Sequence, residues 1–599
     1  VGPGTPLLYR VNGQAPGIGL SWVRGDYDDD AWDGGFFPIG FETGTPVGAR
    51  TLIHTEVGAP ASSIYCRARF AVDEPSSIKS LHLGVDFDDG FVAWINGVEV
   101  ARSDTMPAGP PGWNASPASH ESSNGAIPRF HPRYDISETA IPALHPGENV
   151  LAVGVWNSEA GSSDLVLAAE LLANQPLKTF VTRGPYLQLG TETAVTVRWR
   201  TDRPTDSRVV YGSEPGALRH SVSDPGITTD HRLRITGLQP DSTVHYAVGT
   251  TTTVLAGDGD HVFRTAPPRG ARGPWRIWVL GDTGSAGGIP GWVWGGYRKF
   301  ADGDYADLWI HMGDIAYRFG TDDRYQVALF ETFPRMLRRA VLWATPGNHD
   351  HYESYERMGG AYYDVFDLPT RGEAGGVPSG TELYYAFDFG NVHFVSLNSE
   401  QPDLSGQSPM LSWLERDLRA AAADWIVAFW HRSPFSTGLH DSDTEEPTIL
   451  MRRHVLPLLD AHGVDLVMTG HAHICQRSGL LRGHYGPAES LVPSMVLDGS
   501  RGNPGETGPY RKARPRRSGD GIVYAVVGCS GESTVKTPPP PEMIVSLGVP
   551  GSLVLDVDGL RLDARYLDTE GRVRDHFAIV KEPAGGVPPS DQDEGQRGD

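Results

Sequence analysis

Two all-β sandwiches followed by an α/β domain are the architecture this sequence predicts, and three observations carry that reading. A chain of 599 residues is too long for a single hydrophobic core. Up to about residue 267, short alternating apolar runs are cut by turn residues. From Trp275 onward, buried-type apolar runs alternate instead with longer amphipathic stretches. The expected boundaries are 1–175, 178–268 and 272–582, with 583–599 as a disordered tail.

In the first module the runs are SIYCRARFAV (63–72), SLHLGVDFDDGFVAWINGVEVARS (80–103) and ENVLAVGVWN (148–157). Asp88-Asp89-Gly90 and Asn96-Gly97 read as hairpin turns. The FVAWINGVEVA stretch resembles the jelly-roll modules found beside many glycan-processing enzymes, which implies a glycan or protein contact for residues 1–175. The second module begins at Arg183-Gly-Pro-Tyr-Leu and continues through TAVTVRWRT (193–201), SRVVYG (207–212), HRLRITGLQP (231–240) and TVHYAVGT (243–250). Its alternation, Trp199 and the Leu-x-Pro turn before a Tyr strand resemble a fibronectin type III sandwich. Segment 266–274 reads as a linker, and much of 486–519 as a disordered polar insertion.

Composition excludes several classes. The formal charge of −23 disfavours a nucleic-acid polymer as partner. No apolar run is long enough to span a membrane. Three cysteines make no disulfide framework, and the spacing of Cys475 and Cys529 leaves their pairing open. Val1 follows no Met or signal-like segment, so the sequence reads as processed, with a secreted, periplasmic or cell-surface location expected.

The α/β domain carries the chemistry. Its apolar runs are 276–280, 307–312, 341–345, 392–397, 425–430 and 464–469, with amphipathic stretches at 324–339, 409–422 and 447–462. Five of the six runs end in metal-competent side chains: Asp282 in Gly-Asp-Thr-Gly, Asp314 and Tyr317 in Gly-Asp-Ile-Ala-Tyr, Asn348 in Gly-Asn-His-Asp, His431, and His471 with His473 in Gly-His-Ala-His. The sixth ends at Asn398. Singly, each has an ordinary use as a turn, a packing aromatic, a helix cap or a core histidine. In this order, all at strand ends, they point to one crevice with a mixed oxygen and nitrogen donor set suited to hard or borderline metals.

That set resembles the metallophosphoesterases and, through Tyr317, the purple acid phosphatases. Gly284 stands where most relatives carry a histidine. The resemblance runs from about 178 to 582 and includes a module ahead of the catalytic domain, as in plant-type members. It implies Fe³⁺ held by Asp282, Asp314, Tyr317 and His473. It implies a divalent ion (Zn, Mn or Fe) held by Asp314, Asn348, His431 and His471. The activity implied is phosphate monoester hydrolysis, with hydroxide on the metals attacking phosphorus.

Lying beside Asn348, His349 is the first candidate for leaving-group acid, and His440 is similar in placement to a substrate-contacting histidine of the family. His351 and Arg432 are candidate phosphate contacts, whereas His311, His393, His454 and His462 read as structural. The acidic runs 26–30 and 86–89 are weighed as calcium sites and read instead as exposed loops. Two other functions remain open: a phosphodiesterase or nucleotide-cleaving enzyme, and a surface glycan-binding or adhesion protein with a vestigial phosphatase domain.

Overall fold

The computed structural model describes residues 1–583 apart from 44–48, 125–126, 131–132, 160, 175–177, 286–287, 304–305, 351–359, 438–439 and 534–537. The tail read as disordered therefore lies almost wholly outside the described residues. The chain divides into two compact units, Val1–Thr182 and Arg183–Asp599. No helix among the described residues is long and apolar enough to cross a membrane.

The first unit is a sandwich. A six-stranded sheet runs in the order Asp33–Phe36, Pro6–Asn12, Ser63–Val72, Gly147–Trp156, Gly90–Ile95, Val98–Arg102. A five-stranded sheet centred on Asp164–Ala173 and Leu81–Phe87 faces it across an aliphatic core. Asn96 and Gly97, both at positive φ, close the hairpin between Gly90–Ile95 and Val98–Arg102 as the sequence predicts. Asp88-Asp89-Gly90 does not close one. Leu81–Phe87 pairs with Asp164–Ala173 while Gly90–Ile95 pairs with Gly147–Trp156, so this stretch carries the chain between the sheets. Phe87 and Phe91, with ring centroids 4.8 Å apart in the core, draw the chain across. Asp86, Asp88 and Asp89 are consequently buried rather than exposed. In the other acidic run Asp29 is buried against Arg67 and Arg69, while Asp26, Asp28 and Asp30 stay exposed.

The second unit opens with antiparallel strands around Trp199, which stacks on His231 at 4.7 Å. This module is fastened to the following domain by Arg183 on Asp322, Arg198 on Asp367, and the Tyr186 hydroxyl donating to the Val365 carbonyl. Two seven-stranded sheets then pack face to face. One holds Val341–Ala344, Leu308–His311 and Pro274–Leu280 as parallel neighbours; the other holds Val392–Ser396, Trp425–Arg432, Leu466–Gly470 and Val523–Val527 in the same sense. Trp343 stacks on Phe387 at 3.9 Å across the interface between the sheets. Helices Pro409–Ala420, Glu446–His454 and Leu456–Ala461 cover the outer face of the second sheet. Gly288–Ala301 packs Val293 and Tyr297 on the first. Proline at 334 and 457 divides two of the amphipathic stretches into shorter helices.

The segment 486–519 is ordered, against expectation. Tyr510–Arg514 pairs in parallel with Val573–Pro583, and its buried positions are Tyr510 and Lys512. The Lys512 amine lies 2.9 Å from buried Asp465, so a cationic side chain occupies an inward-facing site. A disulfide joins Cys475 to Cys529.

His393 is structural, as predicted, and it makes stability depend on pH. Its ring nitrogens sit 2.6 Å from Asp388 and 2.8 Å from Asp417. Burial lowers its pKa, but the two carboxylates outweigh burial and raise it to about 9. The folded state binds this proton more tightly than the unfolded chain, so the contribution is complete below pH ~6.5 and lost as pH rises through about 9. It is worth at most ~3 kcal/mol. Denaturant midpoints of the parent should fall across that window, and those of His393→Gln should start lower and fall less.

Candidate metal centre

The predicted site residues stand at the carboxyl ends of the parallel strands of both sheets, where open α/β sheets form their crevices. Asp282 follows Pro274–Leu280, Asp314 follows Leu308–His311, Asn348 follows Val341–Ala344, His431 ends Trp425–Arg432, and His471 follows Leu466–Gly470. Asp282, Asp314 and His471 have φ of 59°, 55° and 66°. Non-glycine residues adopt that region at a cost that surrounding structure must over-determine. The glycines before the clusters allow close approach: a Cβ on Gly347 would meet Asp314 Oδ1 at 2.1 Å, and one on Gly470 would meet Asp282 Oδ2 at 2.5 Å.

The seven expected ligands converge. Carboxylate and imidazole atoms of Asp282, Asp314 and His431 all lie within 4.8 Å of one another. His431 Nε2 is 3.5 Å from Asp314 Oδ2 and 3.2 Å from Asn348 Oδ1. His473 Nε2 is 3.0 Å from the Tyr317 hydroxyl and 3.6 Å from Asp282 Oδ1. The backbone N–H of His471 donates to Asp282 Oδ2 at 2.9 Å, and that of His349 to Asp314 Oδ1 at 2.9 Å.

Proton positions test whether this set fits metal ions. His431 Nδ1–H donates to the Met312 carbonyl at 2.8 Å, which leaves a lone pair on Nε2. His471 Nε2 has two neighbours, Glu445 Oε2 at 2.8 Å and Arg432 Nη1 at 3.1 Å. The shorter contact, to the carboxylate, places the proton on Nε2 and the lone pair on Nδ1. His431 Nε2 and His471 Nδ1 then face each other at 3.2 Å, beside the Asp314 carboxylate. Two such nitrogens beside an anion need a cation: a proton on His431 in the metal-free protein, or a metal ion that takes that proton's place. The residues present fit a metal pair.

Electrostatics agree. Burial, with the Asp314 charge adding to it, pushes the Asp282 carboxyl well up, although His431 opposes the shift. Burial also acts to raise Asp314, but His431 outweighs it and holds that carboxyl below the usual range. In the metal-free protein His431 correspondingly rises to about 10. Burial drives His471 down to about 3 and lowers His473, which keeps both imidazoles in the neutral, ligating form. Burial and the nearby carboxylates hold the Tyr317 phenol well above its ordinary value. Only a strongly acidifying cation would make it a phenolate ligand.

Around the ligands, His349 and His440 border the same centre. His349 Nδ1 lies 2.8 Å from the Arg318 carbonyl and its Nε2 3.9 Å from Asp314 Oδ2, with 35% of the side chain exposed. His440 Nδ1 lies 2.8 Å from Glu445 Oε1, and its ring centroid is 3.7 Å from that of His471. Arg432, a candidate phosphate contact, is instead engaged by Glu400 on one edge and Glu445 on the other. His311 bonds to the Thr283 hydroxyl in the core, as a structural residue should. His351 lies outside the described residues.

Two contributors were missed. Asp350 accepts from the backbone of Asp314, Ile315 and Gly347 and from the Tyr325 hydroxyl, so it fastens two ligand turns together. Its place in Gly-Asn-His-Asp was a usable signal. Glu445 joins His440, His471 and Arg432, but it sits in an acidic stretch with no motif around it.

Residues 276–475 match the calcineurin-like phosphoesterase family, and residues 182–265 match the purple acid phosphatase N-terminal domain. By these two matches the chain resembles the purple acid phosphatases in both its catalytic domain and the module ahead of it. Purple acid phosphatase 18 of Arabidopsis thaliana is 26% identical over 349 residues, covering 53% of this chain and 70% of that protein. Acid phosphatase type 7 of Mus musculus is 25% identical over 371 residues, covering 55% and 79%. A purple acid phosphatase isolated from yellow lupin (Lupinus luteus) seeds shares the fold, with a TM-score of 0.53 and 18% identity over 91% of this chain and 96% of that one. The purple acid phosphatase family is one of metal-dependent phosphoester hydrolysis, and this chain is accordingly an enzyme of the phosphatase class.

Proposed function

We propose that this chain hydrolyses phosphate monoesters at a two-metal centre. Asp282, Asp314, Tyr317 and His473 would hold Fe³⁺, and Asp314, Asn348, His431 and His471 a divalent Zn, Mn or Fe ion. The observation that carries the reading is the pair of imidazole nitrogens facing each other at 3.2 Å beside Asp314, with Asp282, Asn348, Tyr317 and His473 around them. Bound there, the cations would supply charge for phosphate oxygens and acidify a water.

His349 is the leaving-group acid in this reading. Its Nδ1–H is committed to the Arg318 carbonyl, so Nε2, 3.9 Å from Asp314 Oδ2 on a part-exposed ring, is the atom that would hand a proton to an ester oxygen at the centre. Glu445 fixes the His440 ring through Nδ1, which directs Nε2 outward as a phosphate donor. The Cys475–Cys529 disulfide supports an oxidising, secreted or cell-surface setting. We expect His349→Ala to lower kcat on p-nitrophenyl phosphate by ~10²-fold with full metal content. Unchanged kcat would remove His349 from the chemistry.

The visible spectrum tests the centre directly. A phenolate-to-iron charge-transfer band should be present in the oxidised parent and absent in Tyr317→Phe. A colourless parent with two bound metals would discard iron. Faster cleavage of bis-p-nitrophenyl phosphate than of the monoester would replace the monoester reading with the diesterase one.

A further inference from the structure

In the first unit the chain crosses between sheets at Asp86–Gly90, and three acidic side chains there are buried. Two of them are fully employed. Asp86 accepts from the Ser123 and Arg129 backbone and from the Ser123 hydroxyl. Asp89 accepts from the His120 and Ser158 backbone. Asp88 lies between them, is 2% exposed, and accepts from no N–H or O–H donor among the described residues. Its carboxylate instead faces those of Asp164 and Glu121. Oxygens of all three carboxylates lie within 4.8 Å of one another.

We propose that Asp88, Glu121 and Asp164 form a calcium site in the amino-terminal unit, separate from the phosphatase centre. The donors are carboxylate oxygens alone, with no nitrogen or sulfur among them, which selects a hard cation. A buried, donorless carboxylate costs free energy unless it is protonated or paired with a cation. The groups acting most strongly on Asp88 are burial and then Asp164, Asp89 and Glu121, which push it up to about 9. Asp164, whose neighbour Ser163 donates to it at 3.1 Å, rises to about 6. Glu121 is exposed and accepts from the Asn124 amide at 3.0 Å, so it can turn toward an entering ion.

The three ligands come from distant parts of the module: the crossing at Asp88, the loop at Glu121, and the start of the strand Asp164–Ala173. An ion there ties that loop to both sheets. Asp86 and Asp89 already hold its two flanks through Ser123, Arg129 and His120. The site therefore serves the architecture of the unit rather than the hydrolysis.

Equilibrium dialysis of the full chain with radioactive calcium tests the proposal. About one calcium per chain should bind at ~1 mM, with magnesium a poor competitor. Glu121→Gln should weaken binding at least tenfold and Asp88→Asn should abolish it, while both keep parental activity on p-nitrophenyl phosphate. Asp314→Asn should retain the calcium, which separates this site from the phosphatase centre. Absence of binding at ~1 mM, or binding untouched by Glu121→Gln and Asp88→Asn, overturns the proposal. If Asp88→Asn does not fold, surface-exposed Glu121→Gln decides alone.

Discussion

Asp314→Asn should lower kcat/KM on p-nitrophenyl phosphate by at least ~10³-fold and leave the protein unable to retain its metals at stoichiometry. Asp314 is the one carboxylate assigned to both ions. Its Oδ1 accepts the His349 N–H at 2.9 Å, and its Oδ2 lies 3.5 Å from His431 Nε2. Asparagine has the same shape but carries no charge and turns one acceptor into a donor. That donor would meet the His431 lone pair, so a hydrogen bond fills the place of a cation. It would also end the charge repulsion between Asp314 and Asp282, which adds to burial in holding the Asp282 carboxyl above its ordinary pKa. The metal-free variant should therefore unfold close to the parent midpoint in chelator while activity and metal content are lost. Metal analysis, turnover and denaturant unfolding with a chelator together check this. Activity within tenfold of the parent would show that Asp314 bridges nothing. Loss of fold in chelator would mean its main service is structural.

Most of this centre was legible because two simple patterns coincide. Buried parallel strands show as continuous apolar runs, and ligand residues collect at their carboxyl ends. All six runs of the α/β domain are strands, and the seven expected ligands lie together at their ends. What escaped was set by tertiary charge rather than by periodicity. Tyr510–Arg514 reads as polar because Lys512 faces inward, and nothing local announces that Asp465 waits there. Glu445 reaches three site residues from a loop whose neighbours are themselves acidic. Asp88-Asp89-Gly90 has the composition of a hairpin turn, yet its flanking strands find partners in different sheets. Turn chemistry reports that the chain bends and is silent on which strand it meets next.

Asp350→Ala should be the most destabilising single change near the centre. The side chain is 3% exposed and receives four donors: Asp314 N at 2.8 Å, Gly347 N at 2.9 Å, Ile315 N at 3.1 Å and the Tyr325 hydroxyl at 2.6 Å. Truncation strands all four in a dry interior, at ~1–3 kcal/mol for each that finds no water. A total of ~3–5 kcal/mol is expected, since relaxation and solvent entry recover part of the sum. Function should fall with stability for a specific reason. Asp314 holds φ of 55°, and the bond from its own N–H to Asp350 is one restraint on that unfavoured backbone. The Gly347 bond holds the turn that presents Asn348 and His349. Losing the clamp lets both turns relax, which misplaces ligands from two strands at once. Asp350→Asn keeps one acceptor oxygen but presents an amide to buried N–H groups, so it should fall between parent and alanine. The check is the order of the three proteins in denaturant midpoint and in bound metal. An Asp350→Ala protein with the parental midpoint would show that water satisfies these donors and that the ligand turns hold their shape without the carboxylate.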